Sequence, residues 1–275
     1  MSTLPPELEL HIFESVAKAS PYDAALRLTL MLVARRVQIW VEPLAYHCLV
    51  FSKTNSWTRL KRIAESKPPE FLARHVKSIC MPISTVSILE AAEILSACTG
   101  VERLACWIDH GVTALPQSIP VQSLALSRLS IELSHFLALP AALPSLHAQL
   151  THLELIYWEA HAEHYPATVD LARFPRLTHL ALRSDAARFH WPLEMVESLK
   201  RSCLHLRMLV LLDYVLGASD SVVRGLNDRR VVRVITEVAL HDWEPGAKSF
   251  HEWEIRMGEA DMWARGEDII QRNSS

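Results

Sequence analysis

From Val76 onward the chain repeats a short phrase: an apolar residue, then two more, three and five positions later. Copies begin at 76 (VKSICM), 101 (VERLAC), 121 (VQSLAL), 150 (LTHLEL), 177 (LTHLAL) and 206 (LRMLVL), and a degenerate VVRVIT begins at 231. The starts lie 25, 20, 29, 27, 29 and 25 residues apart. Alternation inside each phrase predicts a short strand with one face turned inward. A nearly constant period predicts parallel strands stacked side by side, because one unit cannot bury its own apolar face and a stack can. The returns between strands carry a helical period instead: Val86, Leu89, Ala92 and Leu95, and later Leu193, Val196, Leu199 and Cys203. Pro116, Pro120, Pro144 and Pro175 punctuate the turns before several strands.

The first fifty residues read differently. In LPPELELHIFESVA, starting at Leu4, the residues Leu8, Ile12, Phe13 and Val16 form one helical stripe. Pro5 and Pro6 suit a first helical turn, and Ser20-Pro21 predicts its end. A second helical pattern runs from Ala24 to about Trp40, with Leu26, Leu30, Val33, Val37 and Trp40 three and four apart. Leu28, Met31, Leu32 and Ile39 extend the apolar surface further around that helix than two-layer packing needs. The expectation is a small helical module with apolar surface left over for a partner. A linker helix follows, with Trp57, Leu60 and Ile63 on one face.

A period of 20–29 residues with an LxxLxL core is the leucine-rich repeat. In that repeat the residues flanking the middle leucine line a concave face. The predicted positions are Ser78, Cys80, Arg103, Ala105, Trp107, Ser123, Ala125, Ser127, His152, Glu154, Ile156, His179, Ala181 and Arg183. Of these, Arg103, Trp107, His152, Glu154, His179 and Arg183 are the candidate target contacts. His152 and His179 should stack on adjacent strands. The next rung, Met208, Val210 and Leu212, is too apolar to face water, so a segment of the same chain should cover it. Trp243, Trp253, Met257 and Trp263 mark the tail as that cover. The last rung is expected to present Arg233 and Glu237. Where the consensus places Asn or Cys in each bend, the chain has Ser84, Asp109, Leu129, Trp158, Asp185 and Tyr214. An irregular arc is therefore expected.

Composition narrows the function. The chain has 275 residues, of which 50% are hydrophobic and 21% charged, with net charge −3 and scattered Lys and Arg. That predicts no nucleic-acid footprint. No apolar run is long enough to span a bilayer, and the amino terminus lacks the pattern of a signal peptide. Five cysteines without a CxxC pair suit reduced thiols in cytoplasm or nucleus. Seven glycines and no GxGxxG or GxxxxGK argue against phosphate loops. The one metal-like cluster, Glu159, His161, Glu163 and His164, sits before Tyr165-Pro166 and reads better as a polar loop than as a zinc site. No metal, cofactor or catalytic residue is expected.

Leu4-Pro5-x-Glu7-Leu8-x-x-x-Ile12-Phe13, followed by Leu30-x-Leu32-Val33-x-Arg35-Arg36-Val37, resembles an F-box. Trp40-Val41-Glu42-Pro43-Leu44-x-Tyr46 is similar to the F-box-like proteins with degenerate leucine-rich repeats that are abundant in mushroom-forming fungi, as is the closing Asp261-Met262-Trp263-Ala264-Arg265. The resemblance implies an α/β chain with an F-box-like helical module at 1–50, a helical linker at 51–75, a leucine-rich-repeat solenoid at 76–242 with its parallel strands on the concave side, and a Trp-rich cap at 243–275. It implies that Leu4, Pro5, Leu8, Ile12, Phe13, Val33 and Val37 contact the Skp-type adaptor of a cullin-based ubiquitin ligase, while the solenoid holds an unknown protein target. The chain would then be a substrate receptor with no chemistry of its own, in cytoplasm or nucleus, needing no membrane or nucleic acid. The alternative is a protein-binding repeat scaffold not coupled to ubiquitin ligation.

Overall fold

The computed structural model describes residues 4–19, 24–51, 56–81, 86–107, 120–140, 143–157, 165–184, 191–213, 220–235 and 262–273. Three helices open the chain: α1 (Pro6–Ala19), α2 (Ala24–Val33) and α3 (Arg35–Tyr46). The expected single helix from 24 to 40 is broken at Ala34, whose backbone is extended. The break has a packing reason. It lets α3 turn Val37 and Val41 onto Ala17 of α1, and these three residues form the fully buried centre of the module.

Beyond it lies one sheet of eight strands, all parallel and in chain order, so the chain is of mixed α/β class. The strands are β1 (Cys48–Val50), β2 (Ser78–Met81), β3 (Arg103–Cys106), β4 (Arg128–Glu132), β5 (His152–Tyr157), β6 (His179–Ser184), β7 (Met208–Asp213) and β8 (Val231–Ile235). Register places Leu49, Ile79, Leu104, Leu129, Leu153, Leu180, Leu209 and Val231 in one row across all eight. That row is the floor of the main core.

Helices cover the floor from one side. They are α4 (Ser56–Ala64), α5 (Phe71–His75), α6 (Ile88–Ala97), α7 (Leu133–Leu137), α8 (Pro144–Gln149), α9 (Leu193–Ser202) and α10 (Asp220–Leu226). Trp57, Leu60, Leu72, Ile94, Phe136, Leu146, Val196, Leu199 and Leu226 bring their side chains into the same cluster as the strand leucines. Each such burial contributes roughly 1.5–3 kcal/mol. A last helix, α11 (Met262–Asn273), lies on the opposite side of the sheet.

Three details correct the sequence reading. The phrase VQSLAL at 121 is not a strand: Val121–Ser123 is a tight 3-10 turn, and Leu124 and Leu126 enter the core from there. The leucines overlap, and Leu126-x-x-Leu129-x-Ile131 is the phrase the sheet uses, placing Arg128, Ser130 and Glu132 where Ser123, Ala125 and Ser127 were expected. The last rung is displaced by three residues, because Leu209 pairs with Val231. An odd displacement exchanges the faces of a strand. Val232 and Val234 therefore stand beside Val210 and Leu212, and Arg233 points to the other side; Glu237 lies outside the described residues. In α6, Leu89 is exposed, and Ala91, Ile94 and Leu95 make the buried stripe.

The start of α6 is a full capping box. The Ser87 side chain accepts from the Glu90 backbone N–H, and the Glu90 carboxylate accepts from the Ser87 N–H at 2.9 Å. Ser87→Ala should lower stability by about 1 kcal/mol. Urea midpoints of the two proteins measure that difference.

Candidate functional site

Two surfaces emerge from this arrangement. The first is the outer side of the helical module. A helix brings residues four apart onto one face, so Leu8, Ile12 and Val16 form a line on α1, and Leu4 lies just before that helix. Leu4, Leu8 and Ile12 are 50%, 53% and 50% exposed although each is apolar. On α2, Leu28, Leu32 and Val33 are also open, with Leu32 at 86%. Contiguous apolar surface of this kind marks an interaction site more often than chance exposure. At the surface of the module, the Arg36 guanidinium donates two 2.8 Å hydrogen bonds to the Glu9 carboxylate, linking α1 to α3. That guanidinium holds the Glu9 carboxyl below its usual range.

Of the adaptor candidates, Leu4, Pro5, Leu8, Ile12 and Val33 are on the surface. Val37 is not. It is wholly enclosed between α1 and α3, and Phe13 is half-buried against the same cluster. The F-box resemblance implies adaptor contacts at both, but a three-helix module needs an inner seam and these residues supply it.

The second surface is the sheet face opposite the main core. Register does bring the expected residues together there: Arg103, His152 and His179 stand in one row, Glu154 in the next, and Arg183 beyond it. The face is nevertheless closed. Trp107, Glu154 and Arg183 are buried, while Arg103, His152 and His179 are half-buried. A partner cannot touch the first three without displacing what covers them, which corrects their reading as open contacts.

What holds this face is a polar chain crossing four strands. The Trp107 indole N–H donates to Ser130 Oγ at 2.8 Å, and the Ser130 hydroxyl donates to Glu154 Oε2 at 2.6 Å. Arg183 Nε donates to Glu154 Oε1 at 2.6 Å, and the Trp191 indole donates to the Arg183 carbonyl at 3.2 Å. Ser130 and Trp191 were missed by sequence reasoning. The overlapping phrase at 126 is the signal that would have found Ser130.

The two LTH copies build the next feature. His152 and His179 pair in register and stack with centroids 4.2 Å apart and planes within 8°. Each ring nitrogen Nδ1 sits beside the hydroxyl of the preceding threonine, at 2.8 Å for Thr151 and 2.7 Å for Thr178. The Thr178 hydroxyl also reaches the Thr151 carbonyl at 3.3 Å, and His179 Nε2 lies 3.3 Å from a Glu267 carboxylate oxygen. Trp263 lies edge-on to both rings, at 5.1 Å and 5.8 Å. Burial, the neighbouring imidazole and Arg128 hold the His152 ring down at about 3. Burial also lowers His179, against the opposing pull of Glu267.

The apolar rung is covered as its composition demands. Met208, Val210, Leu212, Val232 and Val234 pack under Met262 and Trp263. Gly266 makes the approach possible, since a Cβ there would lie 2.5 Å from Met208 Sδ. Arg265 ties the helix down further by donating to the Ile235 carbonyl. Trp243, Trp253 and Met257 lie outside the described residues, as do Glu159, His161, Glu163 and His164 and the bend positions other than Leu129, which is a core residue of β4.

The remaining chemistry is muted. Burial pushes the Cys98 and Cys106 thiols up to about 12 and Cys203 up to about 11. These thiols stay protonated, and the thiolate is the nucleophilic form. Among the described residues no three His, Cys, Asp or Glu side chains are grouped to hold a metal, and no helix is long and apolar enough to cross a membrane. No protein-family model and no curated protein matches the chain.

Proposed function

We propose that the chain is a receptor subunit without chemistry of its own: its helical module docks on a Skp-type adaptor of a cullin-based ubiquitin ligase, and its repeat sheet holds a protein target. In this reading the opening helices are F-box-like, and the strands form an irregular leucine-rich-repeat solenoid. The observation that carries it is the exposed line Leu8, Ile12 and Val16, with exposed Leu4 just ahead of it. It stays open on α1 while the other side of the same helix is packed. A partner that covers these side chains gains about half of the roughly 1.5–3 kcal/mol that full burial gives each, because they start about half exposed, against the cost of association. Sequential parallel strands at a period of some 25 residues support the repeat reading. Ubiquitin transfer would then be promoted by proximity alone. The cytoplasm or nucleus, where such ligases act, is the compartment this implies.

Capture on an immobilised Skp-type adaptor tests the reading. Leu8→Ala/Ile12→Ala should reduce capture by roughly a hundredfold, a loss of about 3 kcal/mol. Its melting temperature should barely move, because both side chains are already half in water. Equal capture of the variant, or none of the wild type, would refute adaptor docking. A second reading, a protein-binding scaffold not coupled to ubiquitin ligation, is favoured by one observation: Val37, a candidate contact, is consumed by the module's own core.

A further inference from the structure

The outer, helical side of the repeat region holds a cation that the chain itself does not answer. From Leu133 to Leu153 the sequence contains no Asp, Glu, Lys or Arg. Within that stretch α8 turns Pro144, Ser145, Ala148 and Gln149 to solvent, and Leu137 of α7 is also open. The face is uncharged and built of small side chains, so another chain can approach it closely. Arg173 borders it. Its guanidinium lies over two core rings, 5.5 Å from the centre of Phe136 and 5.2 Å from that of Phe174. His147 of α8 meets the same Phe174 ring edge-on, with centroids 4.9 Å apart.

Stacking holds the guanidinium in place without neutralising it. Arg173 is half-buried: its Nε is enclosed and has no hydrogen-bond partner, and the same is true of His147 Nε2. Among the described residues no carboxylate bonds to Arg173. The charge of Asp170 favours the cation, but its Oδ1 accepts from the Ala172 N–H at 2.8 Å and so closes its own turn. Burial, then the Arg173 charge, hold the His147 ring below its usual range, so the imidazole adds no charge. Arg173 therefore offers one positive charge, laid flat on aromatic rings beside an uncharged surface.

An arginine fixed in this way pairs best with a planar oxyanion, which its fork can meet with two parallel bonds. One charge beside an uncharged face matches a monovalent carboxylate, whereas phosphate groups are read by clusters of Arg. We propose that Arg173 and the outer face of α8 form a docking site for a segment of a partner protein in which an Asp or Glu carboxylate is flanked by apolar residues. This rests on the reading that the repeat region holds a protein target, and it names the chemistry of that target. It places the contact on the helical side, because the strand face opposite is closed. Arginine is among the residue types that dominate such contacts.

The test uses the full chain, labelled, on arrays of short, terminally blocked peptides. Their central residue is Asp, Asn or phosphoserine, and the flanking positions are mixtures of Ala, Leu and Pro. Wild type should be retained roughly tenfold more on Asp than on Asn, the scale of one charge-assisted hydrogen bond. Raising salt should shrink that ratio. Arg173→Met keeps an unbranched side chain over the rings, so its melting temperature should stay close to wild type while the preference disappears. Arg173→Lys should regain part of it. Arg176→Gln, at the exposed arginine three residues later, should leave it intact. In wild type the Arg173 Nε–H nuclear magnetic resonance signal should shift on adding the Asp peptide and stay still with the Asn peptide, a readout that needs no variant. Equal retention on Asp and Asn, or an unmoved Arg173 signal, would overturn the proposal. So would an Asp preference that survives Arg173→Met or falls equally with Arg176→Gln, or stronger retention on phosphoserine. Capture on the adaptor by wild type is read separately, so failure of this site is not mistaken for failure of the receptor reading.

Discussion

Arg183→Met should destabilise the protein by about 3–5 kcal/mol. The side chain is buried, and its Nε donates at 2.6 Å to a Glu154 carboxylate that is itself fully enclosed. Methionine fills much of the same volume but leaves that carboxylate with the Ser130 hydroxyl alone from this chain of hydrogen bonds. An uncompensated buried charge is the costly outcome, more so than the loss of the pair itself. Adding Glu154→Gln removes the charge while keeping an oxygen for Ser130, so the double variant should be more stable than Arg183→Met. Denaturant midpoints of wild type, both single variants and the double complete the cycle. A double variant as unstable as the sum of the singles would show that the pair does not act as a unit.

Lowering the pH from 7 to 5 should loosen α11. The His152 ring is held at about 3 in the folded chain, against about 6.5 when unfolded. The folded value is the lower one. The stability gained by keeping the ring neutral is thus complete above pH 6.5 and is lost progressively as pH falls toward 3. The loss is about 1.4 kcal/mol per unit, or roughly 2 kcal/mol by pH 5. Among the described residues, Arg128 opposes protonation of both rings, Arg207 opposes it at His179, and Glu267 on α11 favours it at His179. Hydrogen exchange of residues 262–273, corrected for the intrinsic pH effect, should quicken more in wild type than in His152→Gln. Equal protection at both values in wild type would contradict the reading.

Much of the sheet was readable in advance because β-strand alternation is a local property. The phrases at 150, 177 and 206 became β5, β6 and β7, and the two LTH copies became the stacked rings. Register was harder. Leu126 belongs to two overlapping phrases, and only the neighbouring strands decide between them. At the last rung, alternating valines fit either face until Leu209 fixes one of them. β1 escaped notice because CLV is three residues long and follows directly on a helix. At the sites, exposure could be inferred for Leu8 and Ile12 but not for Val37, since one stripe does not say which neighbour arrives. The same gap applies to Glu154 and Arg183: a strand tells which way a side chain points, not what closes over it.

Strand order has a consequence for biosynthesis. Each new strand pairs with the one made just before it, so the molecule can grow at the ribosome like a stair laid one tread at a time. The exception is the end. β7 and β8 emerge with Met208, Val210, Val232 and Val234 facing outward, and α11 begins only at Met262. Until that helix is synthesised, this apolar patch of a nascent chain lacks the cover that Met262 and Trp263 give it.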